Sequence, residues 1–173
     1  MYWELPPEFK IYEALGAIAD GRLELVTRPA NSEETEEEDL NIIQANQYSS
    51  NKNKFYTIKY SPETSQIMTN DNATWFVGYL GYPALSLLLY IDRIKFDRSI
   101  LKYFKDIAFK EINQKNKNNF QKAGVEIDQI LSERGLDLDL FKQECDSIFK
   151  QLAALGLKPL GKKVRPPKEI SLK

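Results

Sequence analysis

Between residues 93 and 122 the chain places nine basic side chains against three acidic ones and interleaves them with rings. The cations are Arg93, Lys95, Arg98, Lys102, Lys105, Lys110, Lys115, Lys117 and Lys122, and the rings are Phe96, Tyr103, Phe104, Phe109 and Phe120. Cations interleaved with rings are what a phosphate backbone with unstacked bases requires. A second run, Lys158 to Lys173, carries six basic residues, Lys162, Lys163 and Arg165 among them, and one acidic residue. Arg98, Lys102, Lys105, Lys110, Lys115, Lys117, Lys162, Lys163 and Arg165 are therefore the candidate anion or nucleic-acid contacts. Two facts weigh on the other side. The rings fall near helix-core spacing, and Lys outnumbers Arg although base reading and bidentate phosphate contacts favour Arg.

Trp75, Phe76, Tyr79 and Tyr82, spaced by Gly78 and Gly81, form a second candidate surface. Such rings can stack on bases or sugars or meet a protein partner, but they also supply much of the buried area of a small domain. Catalytic chemistry has less to draw on. The 173 residues include no histidine and one cysteine, Cys145, which excludes Ser-His and Cys-His couples and a zinc site of the His or Cys type. Cys145 lies in an apolar stripe, where a thiol is inert core. Glu63, Asp71 and Asp92 are the carboxylates nearest the aromatic segment, and Asp71 between two asparagines suits an Asx turn. No catalytic residue, cofactor or metal ligand is assigned.

The net charge of −1 hides a segregation: residues 1–40 carry 3 basic and 11 acidic side chains, and residues 41–173 carry 21 and 14. Such a field can steer an anionic partner. Glu33, Glu34, Glu36, Glu37, Glu38 and Asp39 have no large apolar residue among them, so residues 30–40 read as an acidic, mobile loop. The longest mostly apolar run, Ala84–Ile91, is far short of the ~20 residues of a membrane span. With no basic start or small-residue cleavage site at the N-terminus, a cytoplasmic protein is expected.

The elements that must position these groups follow from periodicity and punctuation. Ile11, Tyr12, Leu15, Ile18 and Ala19 predict a helix over 7–19, stopped by Gly21. Arg22–Arg28 alternates as a short strand, with Leu23, Leu25 and Thr27 opposite Arg22, Glu24, Val26 and Arg28. Asn41–Tyr48, a polar turn at 49–53, a strand alternating Phe55, Thr57 and Lys59 with Tyr56, Ile58 and Tyr60, a turn at Pro62 and a strand at 66–70 predict an antiparallel meander of three to four strands. Pro83 opens a helix to about Ile91. Asp97 caps a helix carrying Ile100, Leu101, Phe104 and Ile107. Apolar stripes from Phe109 to Leu131 and from Leu138 to Leu155 predict two further helical stretches, the last two helices meeting as an antiparallel hairpin at Gly135. Residues 162–173 read as a basic, extended, flexible tail. The fold class is α+β, with one domain over 1–161.

The order strand, Ser49-Ser50 turn, strand, turn, strand, Trp75-centred link and helix over residues 42–91 resembles the layout of SWIM zinc-binding domains. The resemblance would put the family's first ligand pair near Met68 and Asn70 and its second near Gly81 and Pro83, none of which replaces a thiolate or imidazole. Zinc is therefore not carried over, and what the resemblance implies is a metal-free interaction or DNA-associated module. The expectation is a non-enzymatic module whose partner is a protein, with nucleic acid as the alternative ligand and a carboxylate-based enzyme as the least favoured reading.

Overall fold

The computed structural model describes residues 1–26 and 41–170. The acidic stretch at 30–40, with Thr27, Arg28 and the last three residues of the tail, lies outside the described residues. Helix α1 (Phe9–Ala19) is followed by β1 (Leu23–Leu25), β2 (Ile43–Tyr48), β3 (Phe55–Ser61) and β4 (Gln66–Thr69). A π-helical turn at Ala73–Val77 leads into α2 (Tyr82–Tyr90). A 3-10 turn at Arg98–Ile100 runs into α3 (Leu101–Phe104), and α4 (Phe109–Lys115), α5 (Phe120–Glu133), α6 (Leu138–Ala154) and β5 (Lys158–Pro159) complete the chain. The α+β class, the N-terminal helix, the antiparallel strands and the helical C-terminal half are as the sequence predicts.

The sheet order is β1-β2-β3-β4-β5, antiparallel except for β5, which lies parallel to β4. This fifth strand carries no sequence signal: its two residues, one a proline, pair only because α6 returns the chain to the sheet edge. Alternation holds on β3, where Tyr56, Ile58 and Tyr60 are buried and Lys59 is exposed. It fails on β1. Leu25 is exposed, and Arg22, expected on the polar side, is 4% exposed. Gly21, at φ +63°, turns the chain from α1 into β1 so tightly that Arg22 comes under the hairpin, where its Nη1 donates to the Tyr48 carbonyl at 2.9 Å.

Helix α1 is the axis of the fold. Residues 9–17 are all buried, because α2 packs on one side and α3 and α5 on the others. Phe9, Tyr12, Phe104, Phe109, Phe120 and Phe141 join into one aromatic cluster, with Phe9 stacked on Phe120 at 5.3 Å and Tyr12 edge-on to Phe141 at 5.1 Å. Each such ring contributes roughly 1.5–3 kcal/mol by burial. Gly16 lets Phe109 against α1: a Cβ there would lie 2.3 Å from Phe109 Cε2. Asp97, Asn119 and Asp137 cap the helices that follow them by accepting from the backbone N–H of Ser99, of Lys122, and of Asp139 and Leu140. Helices α5 and α6, joined through Gly135, pack against each other as expected.

Candidate functional site

A cavity of about 270 Å³ opens where the β2–β3 turn, the start of β1, α1 and α4 meet. Arg22, Ser49, Asn53, Lys54 and Tyr56 line it from the sheet, Glu13 from α1, Tyr82 from α2, and Phe109, Lys110 and Asn113 from α4. Glu169 closes one side from the segment after β5.

The turn forms because Ser49 holds it from within. Its backbone N–H donates to the Lys54 carbonyl at 2.9 Å, and its hydroxyl accepts from the Lys54 N–H at 3.1 Å while contacting the side chains of Asn51 and Asn53. On the helical side, Lys10 and Glu13, three residues apart on α1, are both buried and ion-paired at 2.6 Å. Burial alone would lower the Lys10 pKa, but the Glu13 charge and hydrogen bond outweigh it and hold Lys10 above its usual value. Glu13 Oε1 also accepts from Asn113 Nδ2 at 3.0 Å, which fixes that amide with its oxygen turned away from Glu13.

Two buried groups of the wall are left without a hydrogen-bond partner among the described residues: the donor Arg22 Nε and the acceptor Asn113 Oδ1. Arg22 Nε has only Asp20 Oδ2 at 3.6 Å, beyond hydrogen-bond reach. An unpaired buried polar group costs about 1–3 kcal/mol, and these two atoms are closed to solvent, so it is the rest of the Arg22 and Asn113 side chains that lines the pocket. Tyr56 and Tyr82 stand edge to face at 6.2 Å beside them. Burial, with Asp71 and Glu13 adding, pushes the Tyr56 phenol up to about 12, and burial raises Tyr82 further, so both are neutral donors near neutral pH. The cations are Arg22, Lys54 and Lys110; Arg22 is paired with Asp20 at 3.6 Å and Lys110 with Glu169 at 3.4 Å, and Glu13 is matched by Lys10. The site offers directional hydrogen bonds and positive charge.

Behind the Trp75 segment, Asp71 is a second buried charge. Its Oδ1 accepts from the N–H groups of Ala73 and Thr74 at 2.9 and 3.2 Å, and its Oδ2 accepts from the Thr74 hydroxyl at 2.7 Å. This is the Asx turn the sequence suggested, and it starts the π-helical turn. Burial raises the Asp71 pKa, with the Thr74 hydrogen bonds opposing. Gly81 seats against it: a Cβ at 81 would lie 2.0 Å from Asp71 Oδ1. Glu63 accepts instead from Asn41 at 2.7 Å, and Asp92 pairs with Arg98 at 3.0 Å, so the three carboxylates have separate partners. Cys145 is buried, and burial raises its pKa.

The structure divides the aromatic set. Phe76 is 73% exposed and Val77 62%, whereas Tyr82 belongs to the pocket and Trp75 and Tyr79 are half-buried. The basic set is also dispersed in its roles. Arg98 Nη2 donates to the Leu89 and Tyr90 carbonyls at the end of α2, at 3.2 and 2.9 Å. Lys102 lies over Tyr103 and Lys163 over Trp3, while Lys115 pairs with Glu126 at 3.0 Å. Lys105, Lys117, Lys162 and Arg165 are exposed. Of the nine, only Lys110 reaches the pocket. At the positions the SWIM layout marks, Met68 is buried, Asn70 Oδ1 accepts from the Thr57 N–H at 2.8 Å, and Gly81 and Pro83 are buried. Among the described residues no three His, Cys, Asp or Glu side chains are placed to hold a metal ion, and no helix is long and apolar enough to cross a membrane.

Of the pocket's residues the sequence reading singled out only Tyr82 and Lys110 as site residues; it missed Glu13, Arg22, Lys54, Tyr56, Asn113 and Glu169. The available signal was a Lys10–Glu13 pair inside an otherwise apolar helix. Arg22 gave none, since its burial depends on how α1 turns into β1.

Fold and site together describe an α+β protein with a polar, cation-lined pocket between its hairpin turn and its helices. Residues 3–158 match the family of the uncharacterised conserved protein UCP014422, and the chain belongs to that family. No curated protein and no solved structure matches it.

Proposed function

We propose that the protein is a non-enzymatic binding module that takes an anionic group, free or on a partner protein, in the pocket between the β2–β3 turn and α4. The observation that carries this reading is that three cations from separate elements, Arg22, Lys54 and Lys110, converge on one pocket. A carboxylate or phosphate oxygen meets such cations with charge-assisted bonds. The likeness of residues 42–91 to a SWIM layout without its ligands points the same way, towards binding.

The test is a titration of isotope-labelled protein with inorganic phosphate and with small carboxylates, followed through backbone amide resonances at constant ionic strength. Resonances of Arg22, Tyr56 and Asn113 are expected to move together, and Lys110→Gln to weaken the effect without lowering Tm. Arg22→Met should abolish it, although this buried site also contributes to folding. Unmoved resonances with every anion at millimolar concentrations would remove the reading.

A protein-contact reading rests on Phe76 and Val77, two adjacent apolar side chains held outward on a turn that Asp71 caps. A photo-crosslinking residue in place of Val77 is expected to give a discrete adduct in cells that the same residue in place of exposed Val125 does not. Indistinguishable adduct patterns would eliminate it. Nucleic-acid binding through the Lys/Arg set has less support, because Arg98 and Lys115 already face carboxylates and the set is dispersed over the surface.

A further inference from the structure

We propose that the segment after β5 is an intramolecular ligand of this pocket, with the Glu169 carboxylate held against Lys110, a cation that an external anion would also meet. The second half of the proposal rests on the binding reading above; the first half rests on contacts of the segment itself. From Lys158 to Lys173 there are six basic residues and one acidic one, and that one, Glu169, is the residue that lines the pocket. Its Oε1 lies 3.4 Å from Lys110 Nζ. The next residue, Ile170, donates its N–H to the Asn53 carbonyl at 2.8 Å. Asn53 and Lys110 are themselves pocket residues on opposite elements, the hairpin turn and α4. The segment thus bridges the mouth with one main-chain bond and one charged contact, the way an extended peptide is captured.

Its course makes the bridge a tether. Leu160 N donates to the Ile67 carbonyl at 3.1 Å, which pins the near end to the sheet edge. Lys162 and Val164 then run beside Thr57, Lys59 and Met68, along β3 and β4. Pro166 and Pro167 restrict the backbone just before Lys168 and Glu169. A short stiff tether holds its carboxylate at a millimolar effective concentration or above, enough to compete with a weakly bound free anion. The Lys110 and Glu169 side chains keep 30% and 57% of their exposure, so the contact is of the surface type. Its removal should tighten binding of an external anion about two- to fivefold.

Two full-length variants test this: Glu169→Gln, which removes the charge, and Ile170→Pro, which removes the N–H donated to Asn53. Without added anion, both are expected to displace the amide resonances of Asn53, Lys54 and Lys110; if neither does, the segment is not the pocket's ligand. With inorganic phosphate at constant ionic strength, both should bind about two- to fivefold more tightly than the parent chain. Phosphate that binds all three forms equally overturns the competition. Displaced resonances with no phosphate binding to any form would leave Glu169 as the pocket's internal ligand and retire the external-anion reading instead.

Discussion

Replacing Gly16 by alanine sets two effects of opposite sign against each other. Alanine in a helix interior gains roughly 0.8–1.0 kcal/mol over glycine. The new Cβ would lie 2.3 Å from Phe109 Cε2 and 3.1 Å from Cδ2 and Cζ. Carbon atoms rest at about 3.5–4.0 Å, so the ring must retreat by more than about 1 Å. Phe9 holds it edge-on at 6.2 Å, and the open side is the pocket that Phe109 lines. Overpacking of this kind costs about 1–3 kcal/mol, so the net change is a loss of about 1 kcal/mol. For a domain of this length that lowers Tm by about 2–4 °C. Thermal and urea unfolding of Gly16→Ala, Phe109→Leu and the double variant measure it, and a coupling of about 1 kcal/mol is expected because leucine leaves room for the Cβ. A Gly16→Ala protein more stable than its parent, or a coupling near zero, would refute the claim that glycine at 16 is required by the docking of α4 on α1. The same variant should also reshape the pocket, changing anion affinity while leaving far-UV dichroism intact.

Three further outcomes follow from the polar interior. Asp71→Ala removes the acceptor of two buried N–H groups and a hydroxyl and should cost about 2–4 kcal/mol in urea unfolding, whereas Asp71→Asn, which keeps one oxygen, should cost less than half as much; equal losses would mean that the cap is not the cause. Gln47 is 0% exposed, with neither amide atom hydrogen-bonded among the described residues, so Gln47→Met should stabilise by about 1–2 kcal/mol; a loss instead would show that the amide holds an internal ligand such as water. Burial raises the pKa of Tyr12, of Tyr56 to about 12, and of Tyr82. A folded-state pKa above the unfolded value gives stability that is complete below the unfolded pKa of about 10 and is lost as pH rises towards the folded value. Alkaline unfolding should therefore begin above about pH 10, with these phenols ionising only as the chain unfolds; phenolate absorbance at 295 nm that reaches completion before dichroism changes would contradict their burial.

The local grammar of this chain is strong, which is why its elements were legible. Tyr56, Ile58 and Tyr60 alternate on β3, Asp97 stands at the head of its helix, and the stripes of α5 and α6 break at Gly135, each a short-range rule that the tertiary fold leaves in place. Asp71 was read for its turn because an Asx turn is local as well. The Lys/Arg run was legible as charge but not as a site, since sequence spacing says nothing of which carboxylate each cation meets: Arg98 folds back on the end of α2 and Lys115 on Glu126.

By itself the sequence determined the α+β class, the helix and strand order, and the loss of imidazole and paired-thiol chemistry, because these depend on composition and on periods of a few residues. Only the tertiary structure decided which polar groups share an interior. Arg22 and Asn113 are 91 positions apart in the chain, and Glu13 and Glu169 come from near its two ends, yet all four line one cavity. The reason is that their meeting is set by how α1 turns into β1, how α4 docks on Gly16 and how the last segment crosses the sheet, none of which a short-range rule contains.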